Sequence, residues 1–331
     1  MAAIQIPKRW LLPNSQGTPE GVFLNRRQVL RSLGYSSLGL VLGANTGCDL
    51  DLGGFRHRRR TAGALGRRFR DRFPARRNLD FGIGDRSLTP EEVSSSTNNF
   101  YEFSTNKGAV WELAQGYPVD PWVVEVGGLV HQPRTLNLED LFRRFPLEER
   151  LYRFRCVERW AMQVPWTGFP LARLIDELKP LASARYVRFV SVHDPDRMPG
   201  QGNTYYPWPY YEALRLDEAR HDLAFVVLGV YGHALPMQHG APWRVICPWK
   251  YGYKSPKSIV RIEFTEHQPP TFWNDLQPSE YGFFSNVNPD KPHPRWSQAR
   301  EEDIGTLEKR PTLLYNGYAE QVGHLYGGQE V

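Results

Sequence analysis

Chain breakers constrain this protein more than any other feature of its sequence: 29 glycines and 27 prolines are spread through 331 residues. An interior proline removes a helical hydrogen bond and an interior glycine costs backbone entropy, so a bundle of long helices is excluded. The segments between the breakers are short. Trp122-Val-Val-Glu-Val126 ahead of Gly127-Gly128 predicts a strand and turn, and Tyr186 to Val192 and Ala224 to Val230 read as buried strands. Ile259-Val-Arg-Ile-Glu-Phe264 alternates as a half-buried strand. Helical periodicity marks Leu138 to Phe145 and Pro170 to Leu178. Thr89-Pro-Glu-Glu92 predicts a helix start, with Thr89 as N-cap and Pro90 in the first turn. Short strands with scattered helices predict a mixed, strand-rich α+β domain with no dinucleotide fingerprint and no solenoid repeat. A composition of 40% hydrophobic and 13% aromatic residues supplies its core.

The net charge of +5 is unevenly placed. Of 41 basic residues 16 precede Ser87, eleven of them arginines between Phe55 and Arg86, so that the remainder of the chain holds 25 basic against 30 acidic residues. The body is mildly acidic, and no segment interleaves aromatic with basic residues as a nucleic-acid platform would, so nucleic acid is not an expected partner. Residues 49–86 have few aliphatic side chains and read as a flexible or surface-draped connector, with contact to anionic lipid or an acidic partner as the functional alternative.

Asn25-Arg-Arg-Gln-Val-Leu-Arg31, followed by the apolar, glycine-containing run Ser32 to Ala44, resembles a twin-arginine export signal. The run is shorter than the roughly 20 residues of a membrane span. Residues 1–48 are therefore expected to be a signal segment and 87–331 the functional domain, placed in the periplasm. Ala44-Asn-Thr-Gly-Cys48 contains no A-x-A cleavage site, and lipidation at Cys48 is a second reading of that stretch.

Three cysteines are too few for a disulfide framework, and no Cys-x-x-Cys or His-x-x-x-His spacing occurs. Cys247, within Trp243-Arg-Val-Ile-Cys-Pro248, reads as core. Cys156 differs, because Arg153, Arg155 and Arg159 are near in sequence and positive charge lowers a thiol pKa. Such a thiolate binds soft metals or attacks electrophiles, while a small buried apolar residue is the plainer reading.

The pattern Cys156-Val-Glu-x-Trp-x-x-x-x-Pro-Trp-x-Gly168 resembles the molybdenum-ligand segment of the periplasmic methionine-sulfoxide reductase catalytic subunits, within the sulfite-oxidase-like molybdopterin enzymes. The likeness continues in Asn98-Asn-Phe-Tyr-Glu102, Tyr231-Gly-His-Ala-Leu-Pro236, Pro248-Trp-Lys-Tyr-Gly252, Tyr281 to Asn288 and His293-Pro-Arg-Trp-Ser-Gln298. It implies a sulfite-oxidase-like fold, Mo-molybdopterin with one molybdenum per chain, and Cys156 as both metal ligand and catalytic residue. It further implies that Asn98, Tyr101, Glu102, Ser191 and His239 contact the pterin. Ser191 stands where the family carries Thr, and His239 where it often carries Asn, a change that would make the contact pH-sensitive. Arg244 and Lys257 are expected to hold the cofactor phosphate, helped by backbone N–H groups around Ser255. Pro256 departs from the family pattern and has only a carbonyl to offer. Tyr231 and Trp160 resemble residues near the metal and are candidates for the substrate mouth.

By this resemblance the chain is a monomeric catalytic subunit that reduces oxidised periplasmic proteins, with a haem-containing membrane subunit passing it electrons from the quinone pool. The sequence carries no Cys-x-x-Cys-His haem motif of its own. Basic residues near Cys156 are partly matched by Glu158, and the aromatic and apolar stretch Trp160 to Trp166 suits a thioether better than an anion, in a shallow, open site. A sulfite-oxidising enzyme on the same fold, a cysteine-nucleophile enzyme without metal, and a non-catalytic binding module are the alternatives.

Overall fold

The computed structural model describes residues 63–327. The proposed signal segment 1–48, including Cys48, and the first part of the connector lie outside the described residues. Twelve strands follow in chain order: β1 Val123–Gly128, β2 Arg134–Asn137, β3 Glu148–Arg155, β4 Trp160–Pro170, β5 Tyr186–Ser191, β6 Tyr211–Arg215, β7 Phe225–Val230, β8 His233–Ala234, β9 Arg244–Ile246, β10 Ile259–Thr265, β11 Arg300–Asp303 and β12 Lys309–Pro311. They form a five-stranded sheet ordered β2-β1-β10-β5-β6 and a seven-stranded sheet ordered β12-β11-β4-β7-β8, with β3 also paired to β4 and β9 to β7. This is the mixed, strand-rich α+β architecture that the breaker density predicts.

Local pattern decides where each strand sits. β7 is apolar apart from its glycine, is buried along its whole length, and runs between β4 and the pair β8 and β9. β10 buries Ile259, Ile262 and Phe264 and turns Arg261 and Glu263 outward, the alternation of a sheet covered on one face. The helix Leu171–Leu178 buries Leu171, Leu174, Ile175 and Leu178, the spacing of one helical face.

Two expectations are corrected. The helix expected to start at Thr89 spans Glu91–Ser96 with Pro90 as N-cap, and Thr89 does not cap it. Thr89 is drawn instead into a tertiary pairing, its Oγ accepting from Gln163 N at 3.0 Å and its N–H donating to Gln163 O at 2.9 Å. Nor does the described part of the connector merely drape over the surface. Phe69 stacks on Phe142 with centroids 4.2 Å apart, and Phe81 lies 3.7 Å beneath the Arg150 guanidinium. Its arginines meet the acid excess of the body: Arg68 pairs with Asp120, Arg77 with Glu149, and buried Arg86 with buried Glu301 at 2.5 Å. A few aromatic side chains suffice because they pack onto a core that the sheets have already formed.

Candidate active site

The β3–β4 ladder runs from Glu148 opposite Gly168 to Arg155 opposite Ala161, and its closing turn carries Cys156. Cys156 N donates to Trp160 O at 2.9 Å and Arg159 N to Cys156 O at 3.1 Å, with Arg159 in the left-handed region at φ 74°. A long hairpin thus delivers a cysteine on a tight, internally bonded turn. The thiol is buried and lines a cavity of about 420 Å³.

Around the sulfur the structure overturns the arginine argument. Arg153 donates to Gly317 O at 2.8 Å and lies over the Tyr318 ring. Arg155 is held by Glu301 at 3.1 Å, by Gln298 at 2.8 Å and by the carbonyl of Cys156 itself, while Arg159 is exposed. Burial, with the Glu158 carboxylate nearby, pushes the Cys156 thiol up to about 12. A thiol in this environment would lose its proton, to water, when a metal displaces it, and not through the field of its neighbours.

Asn99, a side chain the sequence reading passed over, and Glu158, read there only as a matching charge, form its polar surroundings. Asn99 Nδ2 lies 3.4 Å from Cys156 Sγ and 2.8 Å from Glu158 Oε2, and Glu158 N donates to Sγ at 3.5 Å. Lys107 and Trp160 also hold Glu158, at 3.1 and 3.2 Å. Burial works to raise the Glu158 carboxyl, but the Asn99 and Lys107 hydrogen bonds outweigh it and keep it below its ordinary range. Both residues stand inside quoted motifs, but the direction of a side chain in a turn is not written in the motif.

Asn98, Tyr101, Glu102 and His239 line the same cavity as Cys156, together with Arg244, Ser255 and Lys257. Ser191 and Pro256 do not. Ser191 Oγ donates to Lys257 O at 2.7 Å, so it braces the backbone that presents Lys257. The Pro256 carbonyl is taken by Val245 N at 3.1 Å, and Ser255 N is bound within its own turn to Gly252 O at 3.2 Å. The Ser255 contribution to the cavity is its Oγ.

Two cations set the electrostatics. Buried Lys250, Lys254 and Arg155 each face a carboxylate, at 2.5, 2.6 and 3.1 Å. Arg244 and Lys257, among the described residues, have none within 4.0 Å. Arg244 donates to His239 O at 2.9 Å and Ser255 O at 3.1 Å and packs near the rings of Phe154 and Trp166. Burial pushes it down to about 9, which still leaves it charged at neutral pH. Lys257 donates to Asn99 O at 2.6 Å; burial lowers its pKa, and the buried Glu102 carboxyl opposes that shift. Desolvated cations without a counter-charge are costly until an anion joins them.

Four atoms of the cavity-lining side chains have no hydrogen-bond partner among the described residues: Asn98 Oδ1, Asn99 Oδ1, Ser255 Oγ and Arg244 Nε. A soft ligand, orphaned polar atoms and two cations lacking carboxylates suit a polar heterocycle that bears a metal and a phosphate. Gly240 makes room for Lys257. At φ +98° it runs so close to Lys257 that a Cβ there would lie 2.7 Å from Lys257 Cβ.

His239 corrects another expectation. Its Nε2 sits 3.1 Å from Ser95 Oγ, and burial, reinforced by Arg244, pushes its pKa down to about 3. It therefore stays neutral and is not a pH-sensitive contact near neutrality.

The cavity wall also departs from the sequence reading. Trp160 lines it, but Trp166 is fully buried in the core and Tyr231 donates to Thr89 O at 2.7 Å. The aromatic wall comes from elsewhere: Tyr101 and Trp273 lie 5.7 Å apart, Tyr101 and Tyr206 6.0 Å, and Trp273 and Tyr281 5.1 Å. The run Tyr205-Tyr-Pro-Trp-Pro-Tyr-Tyr211 was the available signal, too proline-rich for a central strand and too aromatic for an idle loop.

Residues 112–273 match the family described as Oxidoreductase molybdopterin binding domain. Residues 112–273 carry a molybdopterin-binding oxidoreductase domain. The match takes in Cys156, Ser191, His239, Arg244 and the Ser255 to Lys257 segment, while Asn98, Tyr101 and Glu102 precede it. The cofactor of such a domain, Mo-molybdopterin, is the kind of group that the cavity lining fits. Among solved structures the chain is similar to the sulfane dehydrogenase SoxCD from Paracoccus pantotrophus, at 18% identity and a TM-score of 0.37. That likeness covers 44% of this chain and 38% of the other, so it spans well under half of the relative.

Proposed function

We propose that this chain is a periplasmic, molybdenum-dependent reductase of methionine sulfoxide in proteins. Cys156 would hold the metal; Asn98, Tyr101, Glu102 and His239 the pterin; Arg244, Lys257 and Ser255 Oγ the phosphate, with Ser191 and Pro256 fixing the backbone behind them. When bound, the cofactor supplies a two-electron couple suited to oxygen-atom transfer. The chain fixes Glu158 beside the sulfur through Asn99 and Lys107, and Tyr101, Tyr206 and Trp273 line the cavity with aromatic surface.

The observation that carries the substrate assignment is the charge balance of the cavity. Arg295 is bound to Glu280 at 2.7 Å and Lys107 to Glu158 at 3.1 Å, so the cations outside the phosphate cradle are already paired. A sulfite dianion requires unpaired cations, whereas a neutral sulfoxide on a thioether stem packs well against aromatic walls. Repair of methionine sulfoxide restores an apolar side chain, a need that arises in an oxidising compartment. Electrons would come from a haem-containing membrane partner. The test is to assay a methionine-sulfoxide peptide with an artificial electron donor, and sulfite oxidation, on one metal-replete preparation. Sulfoxide reduction with little sulfite turnover is expected; efficient sulfite turnover without sulfoxide reduction would reverse the assignment.

Export is a separate part of the proposal. Arg26→Lys with Arg27→Lys should leave folded, cofactor-loaded protein in the cytoplasm, because the signal is read by a receptor and not by net charge. Normal export of the double variant would refute it.

A further inference from the structure

The motif His293-Pro-Arg-Trp-Ser-Gln298 has no part in the cofactor contacts described above, yet it touches the residue next to Cys156. Trp296 Nε1 donates to Val157 O at 2.9 Å, and Gln298 Nε2 donates to the same oxygen at 2.8 Å. Both donors are themselves held. The Trp296 indole is stacked on His293 with centroids 3.9 Å apart and planes 7° from parallel, and Gln298 Oε1 accepts from Arg155 Nη2 at 2.8 Å. Arg155 is anchored in turn by Glu301 and donates to the Cys156 carbonyl.

The consequence follows from peptide geometry. In a trans peptide the C=O and the following N–H point to opposite sides of the bond, within one plane. Two donors that fix the Val157 carbonyl outward therefore fix the Glu158 N–H inward, and that N–H is the one 3.5 Å from Cys156 Sγ. Hydrogen bonds to a ligating sulfur withdraw electron density from it, stabilise the more reduced metal and raise the reduction potential.

We propose that Trp296 and Gln298 are positioning residues that aim the Glu158 amide at the Cys156 sulfur and so set the potential of the metal it holds. Arg155, which in the sequence looked like a charge acting on the thiol, is the strut of this clamp. The inference rests on Cys156 being the metal's ligand.

The experiment is an EPR-monitored redox titration of the full-length, cofactor-loaded chain, with amide hydrogen exchange measured across residues 156–160. Trp296→Phe keeps a ring against His293 and removes only the indole donor; Gln298→Glu keeps an acceptor for Arg155 and removes the amide donor. Each should move the Mo(V)/Mo(IV) midpoint to lower potential and speed exchange of the Glu158 amide, and the double variant should move both further. A general loss of stability would lower the melting temperature without moving the midpoint. If Gln298→Glu does not accumulate as folded protein, Trp296→Phe decides alone. An unmoved midpoint in Trp296→Phe overturns the proposal, whatever the amide does. Cys156→Ser separates the two claims: an unchanged Mo(V) signal there refutes the ligand assignment, whereas a changed signal with an unmoved Trp296→Phe midpoint refutes only the clamp.

Discussion

Gly240 and Lys257 approach so closely that a Cβ on the glycine would lie 2.7 Å from both Cβ and Cγ of the lysine. The absence of a side chain at one position is thus what lets the cation at the other reach the cavity. Gly240→Ala meets this contact and also a φ of +98°, where an L side chain is strained by about 1–3 kcal/mol. Urea unfolding should show a loss of that order, and purified protein should carry less pterin per chain. A variant with wild-type stability and pterin content would show that Lys257 does not depend on this approach.

Lys257→Ala should weaken cofactor retention. Lys257 is only half-buried, so the deficit should narrow with ionic strength, because the attraction that the variant lacks is itself screened in the parent over about 8–10 Å at moderate salt. Pterin fluorescence after dialysis at several salt concentrations reads this directly. Equal retention by parent and variant at every concentration would remove Lys257 from the phosphate cradle.

His239 links the site to acid stability. Burial lowers its folded pKa to about 3, well below an unfolded histidine, so between the two values the unfolded chain binds the additional proton. Its contribution is therefore complete above about pH 6.5 and is lost as pH falls toward 3, at about 1.4 kcal/mol per pH unit in that window. His239→Asn should flatten the acid limb of a melting-temperature profile taken from pH 4 to 8. An unchanged limb would mean that His239 is not held neutral.

Much of the fold was legible because its signals are local. The wholly buried β7, the alternating β10 and the helix Leu171–Leu178 each announce themselves within a few residues. What was illegible depends on partners far along the chain. Thr89 has the sequence context of an N-cap, yet its hydroxyl is taken by Gln163 on β4. Arg153 and Arg155 flank Cys156 in sequence but give their donors to Gly317, Gln298 and Glu301. The cavity brings together Cys156 and most of the cofactor residues that the resemblance named, since contiguous motifs carry them. Its aromatic wall was missed because Tyr101, Tyr206 and Trp273 meet only once the chain has folded.

The central claim is that Cys156 binds molybdenum through sulfur, and X-ray absorption at the molybdenum edge, comparing parent with Cys156→Ser, tests it most directly. The variant should keep its fold and pterin, because Arg244, Lys257 and Asn98 are untouched, and should lose nearly all turnover as a harder oxygen ligand replaces the thiolate. The account predicts one fewer sulfur scatterer around the metal in Cys156→Ser than in the parent. Identical sulfur coordination in the two proteins, with turnover retained, would contradict it.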